Sequence, residues 1–228
     1  MTRVFPAAAL LALCACNGSF DQRVHEDVHQ TIAAAPAAPI HVENVAGSVR
    51  VVGWSRAAVD IQATKYGYDE QALRAVTIGV RKEGDAIFIQ TSYGGGTHSG
   101  GVRYRLSVPT GASLDISNIA GAVDINGVSG DVRVETQAGE ITADAGRVDG
   151  NRSIDLQATT GAIRLSIAPG SSATVDGSST VGAFASDIPG ISTSRENIVG
   201  MRASGRIGSG SAHIAITTTT GAIALRER

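Results

Sequence analysis

The stretch "NIAGAVDINGVSGDVRVETQAGEITAD", residues 118–144, repeats one pattern: a glycine followed by aliphatic residues two positions apart. Val123 and Ile125 follow Gly121, Val132 and Val134 follow Gly130, and Ile141 follows Gly139. Successive side chains of a strand face opposite sides, so each aliphatic pair shares one face and the residue between them takes the other. The pairs are therefore predicted to point inward, and Asp124 and Arg133 to meet solvent. Beyond this stretch, glycines at 111, 121, 130, 139, 150, 161 and 170 recur about every ten residues, one strand plus one turn, and alternate ones about every twenty. Leu114 with Ile116, Ile154 with Leu156 and Ile163 with Leu165 extend the inward rows, and Asp115, Asp155 and Arg164 the outward ones. A lone coil of this kind cannot bury its own face, so stability must come from stacked neighbours and the ends need covers. The strands before Pro109 and the closing "SAHIAITTTTGAIALRER" (211–228) are the predicted covers.

The upstream segments "IHVENVAGSVRVVGW" (40–54), "AAVDIQATKY" (57–66), "AVTIGVRKEGDAIFIQTSY" (75–93) and "VRYRLSVPTGASLDI" (102–116) also alternate with period two. Lys82-Glu83-Gly84-Asp85 marks a turn, and "DEQALRA" (69–75) is the one good helical candidate, with Asp69 as its cap. The glycine-rich "YGGGTHSGG" (93–101), which contains His98, lacks the Lys-Ser/Thr ending of a phosphate loop and reads as a hairpin turn. Trp54 ends a strand and reads as a core or edge plug. Residues 16–39 form a tether with a possible first strand, closed by Pro36 and Pro39. Within it His25 and His29 share a spacing that could hold a metal on a helix, yet no third ligand accompanies them and no metal site is expected.

The expected fold is all-β: a β-solenoid, β-helix-like ladder of short glycine-turned strands over about 111–186, with antiparallel strands capping its N-terminal end. It occupies one domain, 40–228. A net charge of -2 with no polybasic patch gives no reason to expect nucleic acid. Both cysteines lie at positions 14 and 16, which excludes disulfides, thiolate zinc sites and cysteine nucleophiles from the domain.

The N-terminus has one basic residue, Arg3, and an apolar run from Val4 to Ala15 that is too short to span a bilayer. Residues 1–15 read as an export signal. The end of this run, Leu13-Cys14-Ala15-Cys16, resembles the bacterial lipobox, although Cys14 occupies a position where Ala or Ser is commoner. The resemblance implies cleavage before Cys16 and three acyl chains on it. At about 0.8 kcal/mol per buried methylene, three chains exceed what stable anchoring needs. Asn17, in place of Asp, implies the outer membrane by the lipoprotein sorting pattern. The alternative is an ordinary secretory signal, cut near Cys14 or Ala15 and releasing a soluble periplasmic protein.

Several segments together resemble the DUF4097 family of bacterial envelope proteins, often labelled adhesins. They are the Gly-x-Val-x-Val-x-x-Trp strand ending at Trp54, the Val-Pro-x-Gly-Ala step at 108–112, the Gly-x-(Val/Ile) ladder and the terminal Thr-Gly-x-Ile. The resemblance covers about residues 20–226. One departure is Ala at 122, 162 and 222, where the family usually has a polar residue after the ladder glycine. The resemblance implies a solenoid-like all-β fold and no established biochemical activity.

Asp124, Glu135, Glu140, Asp144 and Asp155 alternate with apolar residues and could pair on one face at a spacing suited to glycoside hydrolysis. Their surroundings are too polar to raise a carboxyl pKa, and the domain has one Trp for sugar stacking. No catalytic residue and no cofactor is expected. The favoured reading is a non-catalytic, lipid-anchored outer-membrane module that contacts an envelope protein or polysaccharide. A carbohydrate-active enzyme on the same scaffold is the alternative.

Overall fold

The computed structural model describes residues 24–94, 100–195 and 198–228. The expected signal peptide, Cys16 and His98 lie outside the described residues. The first part of the chain forms β1 (Val24–Ala33), β2 (Pro39–Ala46), β3 (Val49–Trp54), β4 (Ala58–Gly67), α1 (Glu70–Ala75), β5 (Val76–Glu83), β6 (Ala86–Tyr93) and β7 (Gly100–Pro109). Then come β8 (Ser113–Ala120), β9 (Val123–Asn126), β10 (Val132–Ala138), β11 (Ile141–Asp144), β12 (Ser153–Thr160) and β13 (Ile163–Ile167). The last part holds β14 (Ala173–Val181), β15 (Phe184–Ser186), β16 (Ile191–Arg195), β17 (Met201–Ile207), β18 (Ala212–Thr220) and β19 (Ile223–Glu227).

Two sheets face each other. One runs β1-β4-β7-β3-β9-β11-β13-β19-β15, and the other β16-β17-β14-β18-β12-β10-β8-β2-β6-β5. Their middle parts are parallel ladders, so β2–β3, β8–β9, β10–β11, β12–β13, β18–β19 and β14–β15 are successive coils of one stack. The predicted inward residues are all buried: Leu114, Ile116, Val123, Ile125, Val132, Val134, Ile154, Leu156, Ile163 and Leu165. They stack because the register aligns them, with Leu114 beside Val132 and Val132 beside Ile154. At the last coil Phe184 faces Gly177, where a Cβ would lie 2.3 Å from the ring, so one large and one absent side chain share the space an aliphatic pair fills elsewhere.

The N-terminal end is closed as expected by antiparallel pairs, β1 with β4, β4 with β7 and β5 with β6. The helix forms where expected, with Asp69 accepting a 2.7 Å hydrogen bond from the Ala72 backbone N–H. The Lys82–Asp85 turn closes the β5–β6 hairpin.

Three expectations need correction. First, residues 211–228 do not cover an end of the stack. β18 lies between β12 and β14, and β19 between β13 and β15, so the last coil in sequence is inserted between two earlier ones. The far end is instead continued by the antiparallel strands β17 and β16. Second, the parallel ladder is longer than 111–186: it also takes in 39–54, β6 and β7, which pair in parallel with β2 and β3, and 212–227. The β4–β7 excursion between the first two coils hid the earlier one. Third, β6 and β7 belong to different sheets and do not pair, so the strands flanking the glycine-rich segment are not the two arms of a hairpin.

The stack is tightest along one edge. Gly47, Gly121, Gly139, Gly161, Gly221 and Gly182 follow each other up the coils, and a Cβ on any of the last five would lie 1.8–2.3 Å from the carbonyl oxygen of the glycine below. Beside this column runs a buried one that is polar except at Ala158: Asn44, Asn118, Thr136, Ala158, Thr218 and Ser179. Its side chains hold the bend carbonyls: Asn118 donates to Gly121 O at 2.8 Å, Thr218 to Gly161 O at 3.2 Å and Ser179 to Gly221 O at 2.9 Å. Among the described residues Thr136 Oγ1 is the buried side-chain atom without a partner. At the capped end Asn44 accepts from Thr91, whose hydroxyl meets Tyr104 at 2.7 Å, and burial pushes the Tyr104 phenol up to about 12.

Candidate functional site: an arginine trough on the outer sheet face

Alternation sends every second side chain of each sheet outward, so the outer faces carry rows of polar residues in register. Most charges on these rows are neutralised. On the β10–β12 face Arg133 donates to Asp155 at 2.8 Å and also to Glu135, and His41 lies 3.3 Å from Asp115. On the opposite face Glu140 is held by Arg164 and Asp144 by Arg228. The five acids considered for glycoside hydrolysis are thus divided between the two faces, with Glu135 and Asp155 on one and Asp124, Glu140 and Asp144 on the other. Four of them accept from arginine.

One region departs from this pattern. Arg50 on β3 is the register neighbour of Arg105 on β7, and Arg103 lies two residues along the same strand on the same face. Among the described residues no carboxylate pairs with any of the three. Like charges side by side on neighbouring strands repel, so this arrangement costs stability in the free protein. The arginines sit in an open trough of about 690 Å³ on the outer face, which Ser48 also lines, and Gln62 and Thr64 on β4 flank Arg105 and Arg103 on the side toward β1. The Arg103 guanidinium is fixed over the Tyr66 ring at 5.2 Å.

The two ends of the trough are acidic. Asp124 on β9 is the register neighbour of Arg50, and Asp27 on β1 accepts a 2.7 Å hydrogen bond from Thr64. His29 lines the trough beside Asp27 and lies 2.6 Å from Asp60, whose carboxyl is held below its usual range by hydrogen bonds from His29 and Thr31. His25 and His29 do not form a metal pair. They lie on a strand, where four residues span about 13 Å. No cluster of potential metal ligands occurs among the described residues.

Trp54 is half-buried, donates from its ring N–H to Ala58 O at 2.8 Å and carries Arg56 over its face at 4.9 Å. It is an edge plug whose face is already occupied. Of the threonines 217–220 on β18, alternation buries Thr218 and leaves Thr217 and Thr219 exposed. Nothing in the sequence singled out Arg50, Arg103 and Arg105. Each looks like an ordinary outward residue, and only the pairing of β3 with β7, about fifty residues apart in the chain, brings them together.

Comparison with solved structures gives a candidate cell adhesion protein from Clostridium sporogenes, 12% identical, superposed over 89% of this chain and 100% of its own with a TM-score of 0.63. The two share a fold. A candidate adhesin from Bacteroides fragilis aligns over 88% of this chain and 97% of its own at 12% identity, with a TM-score of 0.31 that is too low to read a shared fold from. Curated protein sequences give no match. The Toastrack DUF4097 family model matches residues 97–226, which run from just before β7 into β19. With more than half of its length matched and the coiled two-sheet ladder in place, the chain belongs to the Toastrack DUF4097 family.

Proposed function

We propose that this protein is a non-catalytic interaction module of the bacterial envelope, adhesin-like in its use of an outward sheet face and anchored to the outer membrane by lipid on Cys16. The observation that carries the reading is the state of the acids. Glu135, Asp155, Glu140 and Asp144 are each held by an arginine and lie on opposite faces, an arrangement that supports recognition over hydrolysis, which needs two free carboxyl groups facing one groove. The Leu13-Cys14-Ala15-Cys16 segment supports the anchor. The solved structure from Clostridium sporogenes, described as a candidate cell adhesion protein, is in keeping with the adhesin-like role.

The partner is an envelope protein or polysaccharide, reached from the membrane through a tether. Intact-mass analysis of the membrane fraction tests the anchor. Wild type is expected to carry the mass of acyl chains on Cys16 and to stay with the membrane, and Cys16→Ser to lose both. An unmodified, soluble mature chain in both preparations overturns the anchor and makes the protein a diffusible periplasmic one.

A further inference from the structure

We infer that the trough of Arg50, Arg103 and Arg105 binds an acidic polysaccharide, a sugar chain bearing carboxylates; this deepens the proposed function by naming the class of partner.

The charge pattern selects the ligand. Arg50 and Arg105 stand on adjacent strands, about 4.8 Å apart at Cα, so one carboxylate can accept from both guanidinium groups, and its charge removes their mutual repulsion. Arg103, two residues from Arg105, offers a second cationic position on the same face. Ser48 in the same trough, and Gln62 and Thr64 on the strand next to Arg105 and Arg103, supply neutral hydrogen-bonding groups. Asp124 and Asp27 then face the parts of a ligand that donate. A sugar chain has both halves of this complement, carboxylates for the arginines and hydroxyls for the two aspartates.

A uniformly anionic membrane surface has only one. It would bring phosphates against Asp27 and Asp124 as well as against the arginines, and the like-charge contacts would offset the attraction. From β1 to β9 the trough crosses five strands, about 19 Å at the usual strand spacing, long enough for several sugar units laid across the sheet. Its volume of about 690 Å³ falls within the range of about 300–1,000 Å³ typical of ligand sites.

The test uses the full protein in neutral detergent micelles and immobilised polygalacturonate, with immobilised dextran as the uncharged control. Wild type is expected to bind polygalacturonate and not dextran, with affinity falling as salt is raised, because exposed charges are screened beyond about 10 Å at 0.1 M salt. Arg50→Gln/Arg105→Gln is expected to weaken binding by about thirtyfold or more, the scale set by removing two charge-assisted hydrogen bonds to the ligand. Both side chains are exposed and unpaired, so the variant should melt at or above the wild-type temperature. If the double variant does not fold, Arg105→Gln alone carries the same prediction at about fivefold or more.

Failure to bind polygalacturonate, equal binding to dextran, or binding indifferent to the substitutions overturns the inference. So does competition by phosphatidylglycerol-doped micelles as effective as competition by free polygalacturonate, which would assign the trough to a membrane surface. None of these outcomes bears on the acyl chains of Cys16, so the anchor and the ligand stand or fall separately.

Discussion

Replacing Gly161 by alanine is expected to destabilise the protein by about 2–6 kcal/mol, the sum of a backbone cost of about 1–3 and an overpacking cost of about 1–3. Gly161 has φ +151° in a bend where the neighbouring coil passes so close that an added Cβ would lie 1.8 Å from Gly139 O and 2.6 Å from the Gly139 carbonyl carbon. These are backbone atoms held by the parallel ladder, so no side-chain rotation relieves the clash. Moving Gly139 would press it on Gly121, whose oxygen already stands where a Gly139 Cβ would come within 2.0 Å. Gly146→Ala is the control. That residue also has positive φ, +60°, but nothing lies within 4 Å of its would-be Cβ. It should cost only the left-handed backbone penalty of about 1–2 kcal/mol. Urea unfolding of the two variants separates them. Equal losses would mean that the column is not packed as described.

Arg152→Met is expected to cost a similar amount, about 3–5 kcal/mol, because it leaves several buried carbonyls without a donor at about 1–3 kcal/mol each. Arg152 is 8% exposed and no carboxylate touches it; its guanidinium is dissolved in backbone carbonyls. Nε donates to Gly130 O at 2.9 Å, one terminal nitrogen to Ala145 O at 2.6 Å and Arg147 O at 3.3 Å, and the other to Val128 O at 2.7 Å. Burial lowers its pKa, and Asp131 and Asp149 act against that shift. These carbonyls belong to the bends before β10 and after β11, on the edge away from the glycine column. The arginine therefore ties two consecutive coils where the chain makes no ladder hydrogen bonds. Methionine fills much of the volume and supplies no donors, leaving several buried carbonyls unpaired. Arg152→Lys, with three rotatable donors in place of a planar fork, should recover part of the loss. A methionine variant within about 1 kcal/mol of wild type would show that the carbonyls find other donors.

What could be read from the sequence is what is local. Period-two alternation fixes which face each residue takes, so the inward pairs from Leu114 to Leu165 and the outward Asp115, Arg133 and Arg164 lie where expected. Asp69 caps its helix because that contact spans three residues. The order of the coils was not legible, because parallel coils with the same pattern are interchangeable partners. "GAIAL" at 221–225 and "GAIRL" at 161–165 present nearly the same inward face, and either could stack on any neighbour. The insertion of the last coil is settled by long-range register, as are the arginine trough and the Arg152 clasp. Arg152 lies in "DGNRS" (149–153), which reads as a solvated turn until the bend of the preceding coil is placed against it.

The intercalated last coil, from which the glycine column and the order of the outer rows both follow, can be tested with engineered thiols, since no cysteine occurs after position 16. Thr217 on β18 is the register neighbour of Gln157 on β12 and of Ser178 on β14. In a background with Cys14 and Cys16 replaced by serine, Gln157→Cys/Thr217→Cys and Ser178→Cys/Thr217→Cys should both be bridged by a short bifunctional thiol reagent, while Gln157→Cys/Ser178→Cys should not, because a strand stands between them. Bridging of Gln157→Cys with Ser178→Cys, and of Thr217→Cys with at most one of the two, would place the last coil at an end of the stack and contradict the architecture described.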